Sequence, residues 1–199
     1  MAVIVAGVLL AAGDGSRLGQ PKALVRLGGQ SLAARGAAML RAGGTDPVIV
    51  VTGAAAVDLD GIVSVHNPRW RTGMGSSMAE GLAAVPENCA AAVLALADQP
   101  LVGPQAVQRL IGAFERGASV VVAGYSGRPR NPVLLAREHW PRAIELAAGD
   151  VGARPFLRAY PELVTLVECG DTGRPDDIDT QDDLDRIGRL LTGEEPVPS

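Results

Sequence analysis

The 199-residue sequence predicts a single α/β domain: a mostly parallel, doubly wound sheet with helices on both faces. Three observations predict it. Short apolar runs rich in Val, Ile and Leu recur along the chain, separated by stretches with Ala and Leu at helical spacing. The first run ends at Leu10 against a glycine-rich segment, as buried strands of open α/β sheets do. The length suits one domain with a sizeable core, and 47% hydrophobic against 20% charged residues is ordinary for a globular protein.

Taken in order, Met1 to Leu10 reads as the first strand. Ser31 to Leu40 reads as a helix ended by Gly43-Gly44. Val48 to Val51 and Ile62 to Val65 read as strands, Met74 to Ala84 as a helix, and Ala90 to Ala97 as a fully apolar, central strand. Gly103 to Phe114 is helical, with Pro104 suited to a first turn, and Ser119 to Ala123 is the next strand. From Tyr125 the texture changes. Ser126 to Pro132 reads as a loop leading into Val133-Leu-Leu135, Arg142 to Ala148 as a helix, and Asp179-Thr180 precedes a final helix. The expected organisation is a domain over 1–192, with 125–170 an insertion that lids one side of the cleft, and a frayed tail over 193–199.

Composition excludes several classes of function. No Lys or Arg precedes the N-terminal apolar run, which is too short to span a bilayer, so neither a signal peptide nor a membrane span is expected. Cys89 and Cys169 stand apart without metal-ligand spacing, and a reducing cytoplasm is the expected setting. A net charge of -4 with 3% aromatic residues argues against nucleic acid as a partner. His66 and His139 have no partner spacing and read as structural or surface residues. Covalent catalysis is not indicated, because there is no Gly-x-Ser-x-Gly elbow and neither Cys has a His placed beside it in sequence.

The chemistry gathers at Leu10-Ala11-Ala12-Gly13-Asp14-Gly15-Ser16-Arg17-Leu18-Gly19-Gln20-Pro21-Lys22. Glycines let backbone N–H groups approach a ligand closely, and Arg17 and Lys22 supply the cationic donors a phosphate chain needs. The spacing matches neither a dinucleotide fingerprint, which wants an acid about 20 residues on, nor an ATPase loop, which ends in Gly-Lys-Ser/Thr. Between Asp14 and Asp46 there is no acid at all, while Arg17, Lys22, Arg26, Arg35 and Arg41 fall in that interval. This local positive field in an acidic chain suits a small polyanion, and Arg35 and Arg41 read as a solvated helix face.

Asp98 is the first charge after eight apolar residues and so sits at the carboxyl end of a central strand, where ligands bind in such sheets. A hard cation such as Mg²⁺ takes one or two carboxylates plus substrate phosphates, which makes Asp98 the leading metal ligand. A helix cap for Asp98 is the competing reading, but it lies too far before Gly103. Asp179 is the second candidate ligand, though Thr180-Gln-Asp-Asp183 also scans as a capping box with solvated acids before it. Gly73 to Ser77 opens a helix, so free N–H groups and the hydroxyls of Ser76 and Ser77 are available to a ligand or as caps. Gly53, after Thr52, and Asn67 end strands on the same side.

The Leu10-to-Lys22 segment resembles the signature of nucleotidyltransferases with a Rossmann-like fold. Together with Asn67 to Ser77, Asp98-Gln-Pro100, Gly149-Asp-Val-Gly-Ala-Arg154 and Asp177-Ile-Asp-Thr180, the chain resembles the molybdenum cofactor cytidylyltransferases. Leu-Ala-Ala-Gly fits the cytidylyl branch, where guanylyl relatives more often carry Leu-Ala-Gly-Gly. The resemblance implies Mg²⁺-dependent transfer of a cytidylyl group from CTP to a molybdopterin-type cofactor, with release of pyrophosphate. It implies that Arg17, Lys22 and Asp98 are catalytic and that Asp98 and Asp179 hold the metal. Leu10, Ala11, Ala12, Gly13, Gly15, Ser16, Arg17, Lys22, Gly53, Asn67, Gly75, Ser76 and Ser77 would bind the nucleotide. Asn131, Asp150 and Arg154 would face the acceptor; the family often has His where this chain has Asn131. A client molybdoenzyme or its chaperone is the implied protein partner. Guanylyl transfer to the same pterin, nucleotidyl transfer to a sugar or alcohol phosphate, and a non-enzymatic nucleotide or cofactor carrier remain open readings.

Overall fold

The computed structural model describes residues 3–147 and 149–193. Ala148 and the tail from Glu194, both covered by the expectations above, lie outside the described residues, as do Met1 and Ala2. In chain order the elements are β1 (Val5–Ala11), β2 (Arg26–Leu27), β3 (Gln30–Ser31), α1 (Leu32–Ala42), β4 (Val48–Thr52), β5 (Val63–His66), α2 (Met74–Ala83) and β6 (Ala91–Leu96). There follow α3 (Pro104–Glu115), β7 (Val120–Tyr125), β8 (Arg128–Ala136), α4 (Trp140–Leu146), α5 (Arg154–Ala159), β9 (Val164–Glu168) and α6 (Gln181–Thr192).

Seven strands form one sheet in the order β5-β4-β1-β6-β8-β7-β9, and β2 and β3 form a separate hairpin. The pairs β1–β4, β1–β6, β4–β5 and β7–β9 are parallel; only β8 runs against its neighbours. Alternation along the strands divides the core. Val5 and Leu9 of β1, Val48 and Val50 of β4, and Val93 of β6 join Ala37 and Leu40 of α1 and Val107 and Leu110 of α3. Ala6 and Val8, Ile49 and Val51, and Leu94 face the other way, onto Met78 and Leu82 of α2, Trp140 of α4 and Phe156 of α5. Helices thus cover both faces, which is why these strands read as continuous apolar runs. No helix among the described residues is long and apolar enough to cross a membrane.

The predicted elements through β7 form within a few residues of their expected bounds. Ser31 sits just before α1, where its hydroxyl accepts from Ala34 N at 3.2 Å, and Pro104 takes the first position of α3. The segment 125–170 corrects the expectation. Ser126 and Gly127 both have positive φ, 53° and 70°, and make a two-residue reversal that returns the chain as β8 beside β7. Residues 128–132 are therefore strand, not loop, and β8 and β9 are members of the central sheet. What lies over the sheet from this segment is α4, α5 and the turns around them. The register of β8 passes from Val122↔Val133 to Ala123↔Arg130, so Asn131 and Pro132 bulge out of the ladder.

A third, smaller cluster positions the site. Val25, Leu27 and Leu32, just after the glycine-rich loop, pack with Ile178 and with Ile187 of α6. The two distant ends of the chain are thereby held together beside the sheet.

Candidate active site

The loop after β1 closes on itself. Lys22 N donates to Gly13 O at 3.2 Å, and Leu18 N to Gly15 O at 2.8 Å. Gly15 has φ +59°, and a Cβ there would lie 2.0 Å from Gln20 O, so only glycine permits this closure. Gly13 and Ser16 are exposed, Leu10 is partly buried, and Ala11, Ala12 and Gly15 are buried. Asp14 is spent locally, its Oδ1 accepting from Ser16 N at 3.2 Å.

Closure aims Lys22 at the carboxylates. Its Nζ donates to Asp98 Oδ2 at 2.7 Å and to Asp179 Oδ1 at 2.5 Å. Arg17, far more exposed, reaches Asp179 Oδ2 at 3.5 Å. Backbone pairing brings the aspartates together: Ile178 N donates to Asp98 O at 2.8 Å, while the Ile178 side chain is buried in the third cluster. Burial works to lower the Lys22 pKa, but the adjacent Asp98 and Asp179 overcome it and hold the ammonium above its ordinary value. Asp98 does not cap α3, since Gly103 occupies that position. The capping reading for the last helix holds: Thr180 and Asp183 form a capping box, and Asp179 enters the Lys22 cluster alongside it.

Whether these residues fit a divalent cation can be tested on the carboxylates themselves. Asp98 Oδ1 is buried and lacks any hydrogen-bond partner. A desolvated carboxylate oxygen without a partner is costly unless a cation completes it. The two carboxylates converge on one ammonium, and two hard oxygen donors are what Mg²⁺ or Mn²⁺ takes from protein when phosphates supply the rest. Asp98 and Asp179 therefore fit the ion. Among the described residues no group of three or more His, Cys, Asp or Glu is placed to hold a metal ion.

The nucleotide-side residues fall into two groups. Gly15, Gly53 and Gly75 occupy tight backbone positions. A Cβ on Gly53 would lie 2.6 Å from Trp70 Cβ and 2.7 Å from Ala12 O, so glycine lets the turn after β4 sit against both the loop and Trp70. A Cβ on Gly75 would meet Ala147 O at 2.5 Å. Asn67, Ser76 and Ser77 are joined to one another. Asn67 is fully buried; its Nδ2 donates to Ser76 Oγ at 2.8 Å and Ser77 Oγ at 3.0 Å, and its Oδ1 accepts from Arg69 N at 2.8 Å. Its amide is engaged within the protein, so it braces the pocket wall and the start of α2. Trp70, missed from the sequence, stands at this wall with Arg71 stacked 4.4 Å over its ring.

On the other side lies a cleft of about 980 Å³. Asn131 and Arg154, both expected on the acceptor side, line it, the first because the β8 bulge pushes it out of the ladder. Asp150 does not. Its Oδ1 accepts from Met74 N at 3.3 Å, placing it at the N-terminus of α2, where a carboxylate satisfies a free N–H and the helix dipole. Gln99 and Asp177 line the cleft next to the two metal-fitting aspartates. Gln99 Nε2 donates to Asp177 Oδ1 at 2.9 Å. Crowding by protein, reinforced by Asp98 and Asp179 and opposed by Gln99, raises the Asp177 pKa. Asp177 looked like solvated charge in a run of acids. The signal that could have found it is its two-residue spacing from Asp179 across the apolar Ile178, which puts both carboxylates on one side of an extended segment.

Comparison with known proteins identifies the family and the fold. The model of the MobA-like NTP transferase domain matches residues 7–164. The chain is 36% identical over 197 residues to nicotine blue oxidoreductase of Paenarthrobacter nicotinovorans, covering 92% of this chain and 96% of that protein. It is 28% identical over 201 residues to purine catabolism protein PucB of Bacillus subtilis, covering 94% and 97%. Among solved structures, the homologue of Mycobacterium tuberculosis Rv0371c from Mycobacterium sp. strain JC1 superposes with a TM-score of 0.81 at 34% identity, covering 96% of this chain and 98% of that one. Rv0371c of Mycobacterium tuberculosis in complex with manganese superposes with a TM-score of 0.74 at 27% identity, covering 94% and 98%. The chain belongs to the family of MobA-like NTP transferase domains, and its fold is that of a nucleotidyltransferase.

Proposed function

We propose that the protein transfers a cytidylyl group from CTP to the terminal phosphate of a molybdopterin-type cofactor. An acceptor phosphate oxygen attacks the α-phosphorus; the new P–O bond forms as the bond to the β-phosphate bridging oxygen breaks, and pyrophosphate leaves with that electron pair. The observation that carries the reading is the Lys22 ammonium lying 2.7 Å from Asp98 and 2.5 Å from Asp179, which joins a phosphate-type loop to two metal-fitting carboxylates. Little covalent work falls to the side chains. Arg17, Lys22 and the loop N–H groups orient the triphosphate and offset its charge, and Asn131 and Arg154 hold the acceptor across the cleft. Asp98 and Asp179 would hold a divalent ion, Mg²⁺ or Mn²⁺, which when bound supplies further charge neutralisation on the phosphates. The dinucleotide product would pass to a client molybdoenzyme or its chaperone.

The test is to incubate the protein with the molybdenum-loaded pterin, Mg²⁺ and each of CTP, GTP, ATP and UTP, and to identify the product by mass. A cytosine dinucleotide from CTP is expected. A guanine dinucleotide would move the donor to GTP, and release of pyrophosphate only with sugar or alcohol phosphates would move the acceptor. Binding without multiple turnover would replace the enzyme with a carrier.

A second reading has one observation in its favour, the 36% identity to a protein named as an oxidoreductase. Two carboxylates gathered on one lysine favour the transfer reading, because they suit a cation and a phosphate chain more than electron transfer. Oxidation of a reduced nicotinamide cofactor added to that mixture, without pyrophosphate, would decide for the second.

A further inference from the structure

The cleft beside Asp177 carries more positive charge than one phosphate needs. Arg130 of β8 and Arg154 and Arg158 of α5 line it. Arg154 and Arg158 are four residues apart, so their side chains share one helix face. None of the three forms an ion pair with a carboxylate among the described residues; Arg130 only meets the carbonyl of Pro129, at 3.3 Å. The acids in the same cleft do not balance them. Asp176 is engaged by Arg174 at 2.8 Å and Arg186 at 2.9 Å, and Asp177, whose hydrogen bond from the neutral Gln99 amide leaves its charge in place, offsets no more than one of the three. Val122, Val133, Leu157 and Val164 line it too, so the walls are apolar as well as cationic.

We infer that this cleft selects an acceptor with two anionic groups joined by a partly apolar body: the reacting phosphate on the Asp98–Asp179 side and a second anion on Arg154 and Arg158. This rests on the transfer reading for the position of the reacting phosphate. Clustered guanidiniums facing a cleft are stabilised by a planar or tetrahedral anion that accepts from them in pairs. A sugar or short alcohol phosphate offers hydroxyls, which would leave this wall without its counter-charge and the apolar residues wet. The volume is within the range of sites that enclose an organic ligand of moderate size.

The experiment compares two probes, phenyl phosphate and 4-carboxyphenyl phosphate, by titration calorimetry on the full chain with Mg²⁺. They share a phosphate and an aromatic body and differ by one carboxylate. The two-ended probe is expected to bind ~10-fold more tightly, the worth of one charge-assisted contact. Arg158→Ala should remove most of that advantage while leaving phenyl phosphate affinity unchanged, and Arg158→Lys should restore part of it. Equal affinities in the unaltered protein would overturn the inference. So would an advantage that survives in both Arg154→Ala and Arg158→Ala proteins whose circular dichroism is unchanged. If the advantage is present but no triphosphate yields pyrophosphate, the transfer reading falls and the two-anion cleft stands. Release of pyrophosphate without the advantage sinks the inference alone.

Discussion

Lys22 Nζ lies 2.7 Å from Asp98 Oδ2, a contact between residues 76 positions apart, and the same ammonium reaches Asp179. The lysine occupies the place of positive charge between two carboxylates that also fit a divalent ion. Its removal should therefore have opposite effects on two ligands. In Lys22→Ala, Mn²⁺ alone should bind more tightly than to the unaltered protein, because an internal competitor for the carboxylates is gone. Turnover should fall by ~10²-fold or more, the usual cost of one charge-stabilising donor. Metal titration followed by electron paramagnetic resonance reads the first effect and pyrophosphate release the second; unchanged turnover would remove Lys22 from the chemistry.

Asp98 separates activity from stability. Its Oδ1 is buried without a partner, so this carboxylate is held against its own solvation. Asp98→Ala should abolish metal-dependent pyrophosphate release while the melting temperature stays level or rises, since Lys22 keeps Asp179 as a partner. A folded variant with normal release would contradict the assignment.

Gly15 and Gly19 offer a matched pair. Both have positive φ, +59° and +70°, and so share the backbone cost of ~1–2 kcal/mol that an L side chain meets there. A Cβ at Gly19 meets nothing within 4 Å, whereas at Gly15 it would fall 2.0 Å from Gln20 O. Gly15→Ala should therefore lose both stability and triphosphate affinity, through an opened loop that no longer aims Lys22, and Gly19→Ala should show little beyond the backbone cost. Thermal melts and nucleotide titrations of the two proteins check this; equal losses would show that closure of the loop does not matter.

Much of this was legible in the sequence because it is local. An apolar run that ends at Asp98, or at a glycine loop followed by Lys22, states both the strand and the edge where the Lys22–Asp98–Asp179 cluster lies. The rest is long-range. Residues 128–132 hold two prolines and are mostly exposed, so nothing in their periodicity says strand; the reversal at Ser126-Gly127 and pairing with β7 make them one. β9 is a largely exposed edge with no apolar run to mark it. Asn67 looked like a ligand-facing residue at a strand end, and only the approach of Ser76 and Ser77 shows its amide to be spent. Asp177 lines the cleft and Asp150 meets Met74 N for the same reason: which carboxylate meets the cleft depends on the packing of segments far apart in the chain.

The capping box at Thr180 ties fold to site. Thr180 Oγ accepts from Asp183 N at 3.2 Å, and Asp183 Oδ2 accepts from Thr180 N at 3.0 Å and from Asp179 N at 3.3 Å. The cap thus fixes the backbone of the residue whose side chain meets Lys22. Thr180→Ala should cost about 1 kcal/mol, a fall of ~2–4 °C in melting temperature for a chain of this size, and should weaken Mn²⁺ binding, while Thr180→Ser retains both. The loss should depend on pH with a definite sign. The Thr180 hydroxyl, followed by the N–H groups of Asp179 and Thr180, holds the Asp183 carboxyl below its ordinary value. A depressed acid contributes stability above its unfolded pKa, about 3.9, and that contribution disappears as pH falls through the lower folded value. The difference in melting temperature between the unaltered protein and Thr180→Ala should therefore be widest near neutral pH and narrow below about pH 4. A difference constant across that range would show that the hydroxyl stabilises the helix start without coupling to the Asp183 charge.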